Sequence, residues 1–195
     1  MKSPTEAAPP EETPRPPAED IGPITPENLL GSGQIPASSL ISFFLNTNPR
    51  IDTGFIEELV LFYTEEAAIE GINHDVAFAQ MCLETGFLRF GGLVTLEMNN
   101  FCGLGATGPG QPGEYFSTPR LGVRAHIQHL KAYATTEPLR QALIDPRYRW
   151  VRYGSAPTLA GLSGAWASDK EYDLKIRRIL KQLYTYSRVT EVAQN

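Results

Sequence analysis

Cysteine is scarce in this chain: Cys82 and Cys102 are the only two in 195 residues. That is too few for a disulfide framework. Histidine is scarce as well, limited to His74, His126 and His129. These five side chains could ligate a transition metal, but no Cys-x-x-Cys or His-Glu-x-x-His spacing occurs. No metal or other cofactor is therefore expected. Positive charge is in deficit, with 17 Lys+Arg against 22 Asp+Glu and a net charge of −5. Glu6, Glu11, Glu12, Glu19 and Asp20 outnumber Lys2 and Arg15 in the first 20 residues, so that stretch carries −3 and the other 175 residues −2. Without a basic field, no nucleic-acid partner is expected. No apolar run reaches the ~18 residues of a membrane span, so no transmembrane segment is expected. The opening MKSPTEAAPPEETPRPPAED lacks a basic stretch followed by an apolar one, so no signal peptide is visible.

Aromatic side chains are absent before Phe43, and half of the 16 prolines fall in the first 26 residues. Such a segment cannot bury enough apolar surface to offset its ordering entropy. Residues 1 to about 26 read as an extended tether, and 27–37 as chain lying along the domain surface. The division is then a Pro-rich linker over 1–37, one folded domain over 38–188 and a tail over 189–195. With 42% apolar and 10% aromatic residues, one well-formed core is attainable.

From Ser38 onward the periodicity is helical. Ser38–Asn46 is a short apolar stretch. Asp52 or Thr53 can cap a helix running to Glu70, with Ile56, Leu59, Val60, Tyr63 and Ala67 on one face and Gly71 at its end. Asn73 can cap a second helix through Thr85, followed by Gly86. Residues 86–113 hold eight glycines in 28 positions, which predicts a long irregular loop. Pro119 suits the first turn of a helix to Ala134. Glu137–Ile144 and Thr158–Leu162 read as short helical pieces, and Leu93–Leu96 as the one plausible strand. Ser168-Asp-Lys-Glu171 has the pattern of a capping box, opening a last helix that buries Tyr172, Ile176, Ile179, Leu180 and Leu183. The expected class is all-α, with little or no sheet.

The chemistry points to the second helix. Between Val76 and Glu84 only Gln80 and Glu84 are strongly polar, and a helix apolar nearly all round is buried. Glu84 lies in its last turn, where the helix dipole disfavours a negative charge. Desolvation acts in the same direction, so both raise the pKa of Glu84. A carboxylic acid held protonated near neutral pH can protonate a leaving-group oxygen. The same pattern also fits a Glu at a helix end that points to water or pairs with Arg89. The following Asn99-Asn100-Phe-Cys-Gly-Leu-Gly-Ala106 supplies amides and glycines. These suit a neutral, hydroxyl- and acetamido-rich ligand such as a sugar, or equally a surface loop shaped by Asn/Gly turns.

Three segments resemble one family. Leu83-Glu84-Thr-Gly-Phe87 is similar to the Glu-Ser/Thr-Gly-Trp/Phe element of the bacterial glucosaminidases, glycoside hydrolase family 73. Asn99-Asn100-Phe-Cys-Gly-Leu104 resembles their Asn-Asn-x-Phe-Gly-Ile element. Trp166-Ala-Ser-Asp-Lys-Glu-Tyr172-Asp-Leu-Lys-Ile176 resembles their Tyr-Ala-Thr-Asp-x-x-Tyr-x-x-Lys-Ile element. The three stand in the family's order over roughly 52–183. The resemblance implies a lysozyme-like α fold over 38–188 and cleavage of the β-1,4 bond after N-acetylglucosamine in peptidoglycan. It also implies a periplasmic, cell-envelope or secreted location. It gives Glu84 the general-acid role, and Asn100 and Tyr172 a place in the substrate cleft; Phe101 and Tyr115 are added as candidate cleft residues. The expected partner is a glycan strand, and the chain is expected to act as a monomer.

Cys102 stands where the family has Phe, and the stretch 103–115 is too short for the hairpin that carries a second acid in many relatives. Glu97 and Glu114 are the candidates for that acid, with Glu97 favoured because its loop should stay near the Glu84 helix. Assistance by the substrate's own acetamido group would need neither. His126, His129 and Tyr133 share a helix face, as a substrate-facing stripe or as core and solvated positions. Cys82 and Cys102 are a disulfide or two buried thiols. Asp145–Tyr153 is a cleft wall or an Arg-aromatic surface stack. Competing functions are a lytic transglycosylase and an inactive cell-wall binding module.

Overall fold

The computed structural model describes residues 25–106, 108 and 110–194. Helix boundaries in it follow the capping residues. Asp52 accepts the Phe55 N–H at 2.8 Å and opens α2 (Thr53–Glu70), which ends on Gly71 at φ 77°. Asn73 accepts from the amides of Asp75 and Val76 and opens α3 (His74–Glu84). Thr118 caps α4 (Pro119–Ala134), with Pro119 in the first turn, where its missing N–H costs nothing. The other helices are α1 (Ala37–Thr47), the short α5 (Leu159–Leu162) and α6 (Tyr172–Gln194). Two single 3-10 turns, Leu96–Met98 and Tyr148–Trp150, lie in the connections.

The body is all-α among the described residues, with only isolated β-bridges, in keeping with a lysozyme-like helical domain. α3 is the central element. It packs against α2, α4 and α6, and Val76, Ala77, Phe78, Ala79, Met81 and Cys82 are all fully buried. This is what a helix apolar on every side requires. The expected inner faces of α2 and α6 are the buried ones, from Ile56 to Ala67 and from Tyr172 to Leu183. No helix is long and apolar enough to cross a membrane.

Five expectations change. The tether over 1 to about 26 falls almost wholly outside the described residues. The chain from Glu27 onward, however, is already part of the packed unit, ahead of the expected start at Ser38. Leu29 is fully buried and Ile35 nearly so. The Leu29 amide donates to the Pro157 carbonyl at 3.0 Å, Leu29 O accepts from Asn73, and the Gln34 and Ile35 amides donate to the Asp75 carboxylate. Two apolar side chains without a period give no sequence signal of this. At the other end α6 continues through 189–194, where a tail was expected.

Glu137–Ile144 is not helical. Its backbone groups are taken by side chains from elsewhere. Glu70 accepts the Arg140 and Gln141 amides, while Gln128 takes the Ile144 and Asp145 amides and donates to Ala142 O. Leu93–Leu96 forms no strand, and no partner strand lies beside it among the described residues. Just ahead of α6, Asp169 accepts the Glu171 amide at 2.9 Å, and the expected Ser168–Glu171 pair does not form.

Candidate active site

Glu84 sits where α3 ends and the chain turns sharply. Thr85, the C-cap, donates its hydroxyl to Met81 O and accepts the Leu88 amide at 2.9 Å. Gly86, Phe87, Leu88 and Phe90 all have φ between 51° and 59°. A left-handed conformation costs a non-glycine residue about 1–2 kcal/mol, so the turn must be held from outside. Phe87 packs against Phe43 and Phe44, and Asn48 donates to Phe87 O at 2.8 Å. Strain of this kind clusters at functional sites.

Two donors meet one oxygen of Glu84. Trp166 Nε1–H donates to Oε1 at 3.2 Å, and the Tyr172 hydroxyl donates to the same oxygen. Oε2 lies on the side of Gly103, where an added Cβ would stand 3.8 Å from it. Glu84 has no ion-pair partner among the described residues; Arg89, the expected alternative, donates to Gly86 O and Thr47 O. Burial raises the Glu84 carboxyl above its ordinary value, against the Tyr172 and Trp166 hydrogen bonds, which lower it. Sequence and structure agree on this direction.

The loop segment 99–106 forms the floor of the site. Asn100 is fully buried: Nδ2 donates to Leu104 O at 2.8 Å and Glu114 O at 3.1 Å, and Oδ1 accepts the Leu104 amide at 2.9 Å. It staples the glycine loop with both amide protons and exposes no surface to a ligand, which corrects its expected place in the cleft. Phe101, also expected there, is fully buried in the core, because an apolar ring next to α4 is better covered than exposed. Gly122 on α4 allows that approach, since a Cβ there would stand 1.7 Å from Asn99 O. Tyr115 is 68% exposed, and Tyr172 is buried beneath Glu84.

Two clefts meet at this loop. One, of about 410 Å³, is lined by Glu84–Gly86, Phe90–Val94, Gly103 and Ala106. The other, of about 280 Å³, is lined by Cys102–Ala106, His129, Tyr133, Arg147, Trp150, Val151 and Trp166. They share Gly103 and Ala106, and the Trp166 side chain joins Glu84 of the first to the wall of the second. A larger cleft of about 630 Å³ lies between Asn48–Ile51 and Leu88–Arg89 and holds no carboxylate. The segment 145–153 thus does contribute a cleft wall, with the Arg147 guanidinium 4.3 Å from the centre of the exposed Trp150 ring. His129 and Tyr133 line the second cleft, and His129 Nδ1 meets Asp145 at 2.7 Å. His126, placed with them on one face, is instead a fully buried core residue.

Neither candidate second acid touches Glu84. Glu97 is exposed in the Leu96–Met98 turn, and a hydrogen bond from Thr95 lowers its carboxyl below its ordinary value. Glu114 lies over Gly105, with Arg147 at 3.7 Å, and so reaches the rim of the second cleft. Cys82 and Cys102 are two free buried thiols; burial raises both, and Glu84 raises Cys102 further. Sequence reasoning quoted Trp166 without giving it a role and missed the polar partners behind Tyr172. The signal for one was present: Gln80 is the other strongly polar residue of α3.

Comparison with known proteins adds two findings. The family model described as glucosaminidase, mannosyl-glycoprotein endo-beta-N-acetylglucosaminidase, matches residues 61–185. An uncharacterized protein of Borreliella burgdorferi is 43% identical over 159 residues, covering 82% of this chain and 78% of that protein. No solved structure matches.

Proposed function

The chain belongs to the glucosaminidase family of glycoside hydrolases, and on that premise we propose that it cleaves the β-1,4 bond after N-acetylglucosamine in peptidoglycan, with Glu84 as general acid. The observation that carries this reading is the setting of Glu84. Its carboxyl is largely buried, lacks a cationic partner among the described residues, is raised above its ordinary value and borders an open cleft. A proton held on Oε2 would meet the glycosidic oxygen of a strand lying along the two joined clefts. As that bond breaks, the leaving oxygen takes the proton, and Glu84 becomes a carboxylate stabilised by Tyr172 and Trp166. The exposed faces of Trp150, and of Leu93 on the opposite cleft, suit the apolar faces of sugar rings. A substrate of this kind places the protein's work outside the cytoplasm.

No second carboxylate touches Glu84 among the described residues. A base or nucleophile would stand about 5–9.5 Å from Glu84 and not against it; with Glu97 exposed and Glu114 facing Arg147 at 3.7 Å, we favour a mechanism in which the second group comes from the substrate. The acetamido oxygen of N-acetylglucosamine can attack the anomeric carbon, with water completing hydrolysis. Attack by the substrate's own 6-hydroxyl would make the enzyme a transglycosylase. Digestion of purified peptidoglycan with mass analysis of the products separates these. Reducing N-acetylglucosamine ends are expected; anhydro-muramyl ends would assign the transglycosylase. Glu84→Gln is expected to keep the fold and lose activity by about 10²–10⁴-fold. Near-wild-type turnover in that variant would reject Glu84 as the acid.

A further inference from the structure

Five side chains from four helices form a single line of hydrogen bonds that runs from Glu84 into the core, and the line has a direction. Its outer end fixes that direction. An ionised Glu84 can only accept, and with its proton on Oε2 the Oε1 oxygen likewise only accepts, so in both states the one hydroxyl proton of Tyr172 on α6 goes to Glu84 Oε1. The Tyr172 oxygen is then left to accept, and it takes Gln80 Nε2–H at 2.8 Å. The Gln80 amide is thereby oriented, with its oxygen facing His126 Nε2 at 3.0 Å. The imidazole proton must lie on that nitrogen. His126 is fully buried, and burial pushes it down to about 3, so it is neutral at ordinary pH and its Nδ1 carries no proton. Nδ1 therefore accepts the Tyr63 hydroxyl at 2.9 Å. Each group meets its neighbour in one sense only.

We propose that Gln80 and His126 are positioning residues for Glu84: they hold Tyr172 as a donor to Oε1 and so keep the transferable proton of Glu84 on Oε2, the oxygen beside the cleft. This rests on the reading of Glu84 as the general acid. The geometry bears on it in two ways. Both protein donors to Glu84, Tyr172 and Trp166, fall on Oε1, and Gly103 leaves the Oε2 side open. Reversal of the line, with the amide turned and the imidazole proton on Nδ1, would draw the Tyr172 proton to Gln80. Oε1 could then hold the acid proton on the inner side, out of reach of a glycosidic oxygen. No buried side-chain N or O atom among the described residues lacks a partner, so no unmet group pulls the line towards that reversed state.

The titratable groups around this line are few. Tyr172 faces Glu84 from α6 and Cys102 faces it from the glycine loop, while Cys82 lies two residues earlier on α3. His129 acts on His126 from one turn along α4. Glu84 has no ion-pair partner among the described residues.

The test is a carbon-13 NMR titration of the Glu84 carboxyl in the full chain, run beside pH profiles of peptidoglycan turnover. Gln80→Glu places a group that accepts from both neighbours, so it draws the Tyr172 proton inward and adds a negative charge behind it. The Glu84 midpoint should rise by about one pH unit or more. The alkaline limb of the turnover profile should rise with it. Gln80→Met keeps the side-chain length and removes both hydrogen bonds. It should raise the midpoint by less, because Tyr172 then donates less strongly. Because the added charge alone raises the Glu84 midpoint in Gln80→Glu, Gln80→Met decides: a role in packing alone would leave its midpoint at the wild-type value, and that result overturns the proposal. Turnover by Glu84→Gln is read separately: activity there removes the general-acid reading, whereas the NMR midpoints report on the relay either way.

Discussion

Trp166 Nε1–H donates to Glu84 Oε1 at 3.2 Å although 82 residues separate the two. The same indole packs edge-on against His129, with ring centres 5.0 Å apart, and lies near Tyr133 and His126. One side chain thus supports the acid from one side and builds the wall of the neighbouring cleft on the other. Trp166→Phe is therefore a poor probe of either role alone. Variants at Tyr172 and in the loop separate them better.

Tyr172→Phe removes one of the two donors that stabilise the ionised form of Glu84. Its carboxyl should rise further, because desolvation then meets only the Trp166 hydrogen bond. The acid form persists to higher pH, so the alkaline limb of kcat/KM should move upward. The lost hydroxyl leaves Gln80 with an unpaired buried donor, costing about 1–3 kcal/mol of stability. An alkaline limb that stays in place, or moves down, contradicts the assigned direction.

Asn100→Ala should behave as a structural lesion with a catalytic consequence. It leaves the Leu104 amide and Glu114 O without their side-chain partner, at about 1–3 kcal/mol for each group that water does not reach, while Leu104 O keeps the Glu114 amide. The glycine loop beside Glu84 should loosen and turnover should fall. Urea unfolding and amide exchange across 103–106 check this. Wild-type stability with a raised KM alone would return Asn100 to direct sugar binding.

His126 predicts a pH dependence of stability. Its folded value is depressed to about 3, whereas an unfolded histidine titrates near the ordinary 6.5. Between these limits the unfolded chain binds the extra proton, so stability is lost as pH falls from about 6.5 towards 3. The slope is at most about 1.4 kcal/mol per pH unit. Glu84 opposes it, since a raised carboxyl favours the folded state on acidification, over the range between its ordinary and its raised value. Urea unfolding of wild type and His126→Gln at several pH values isolates the histidine part. Parallel curves for the two proteins would count against a neutral buried imidazole.

The second carboxylate can be tested by charge removal and by distance. Glu97→Gln is expected to retain turnover, because Glu97 is exposed and held by Thr95. Glu114→Gln is expected to affect KM more than kcat, since its carboxylate lies at the rim with Arg147. A base acting on water would stand about 6.5–9.5 Å from the Glu84 carboxyl, and a nucleophile about 5–5.5 Å. A structure with a bound chitooligosaccharide that brings either acid into those ranges would replace the substrate-assisted mechanism.

Sequence alone determined the capped helices and the buried setting of Glu84. Asp52, Asn73, Thr118, Gly71 and Pro119 act through bonds to residues at most four positions away, so their meaning is local and legible. The burial of Glu84 followed from the apolar residues of its own helix, which needs no knowledge of the neighbours. Tertiary structure decided the rest. Asn100 has the composition of a sugar-binding amide, but Leu104 O and Glu114 O consume it. Glu137–Ile144 has helical periodicity, but Glu70 and Gln128 capture its backbone from 70 and 16 residues away, respectively. The line from Tyr63 to Glu84 joins residues up to 92 positions apart. A hydrogen bond takes its partner from whatever the packing places within about 3 Å, and no periodicity along the chain encodes that meeting.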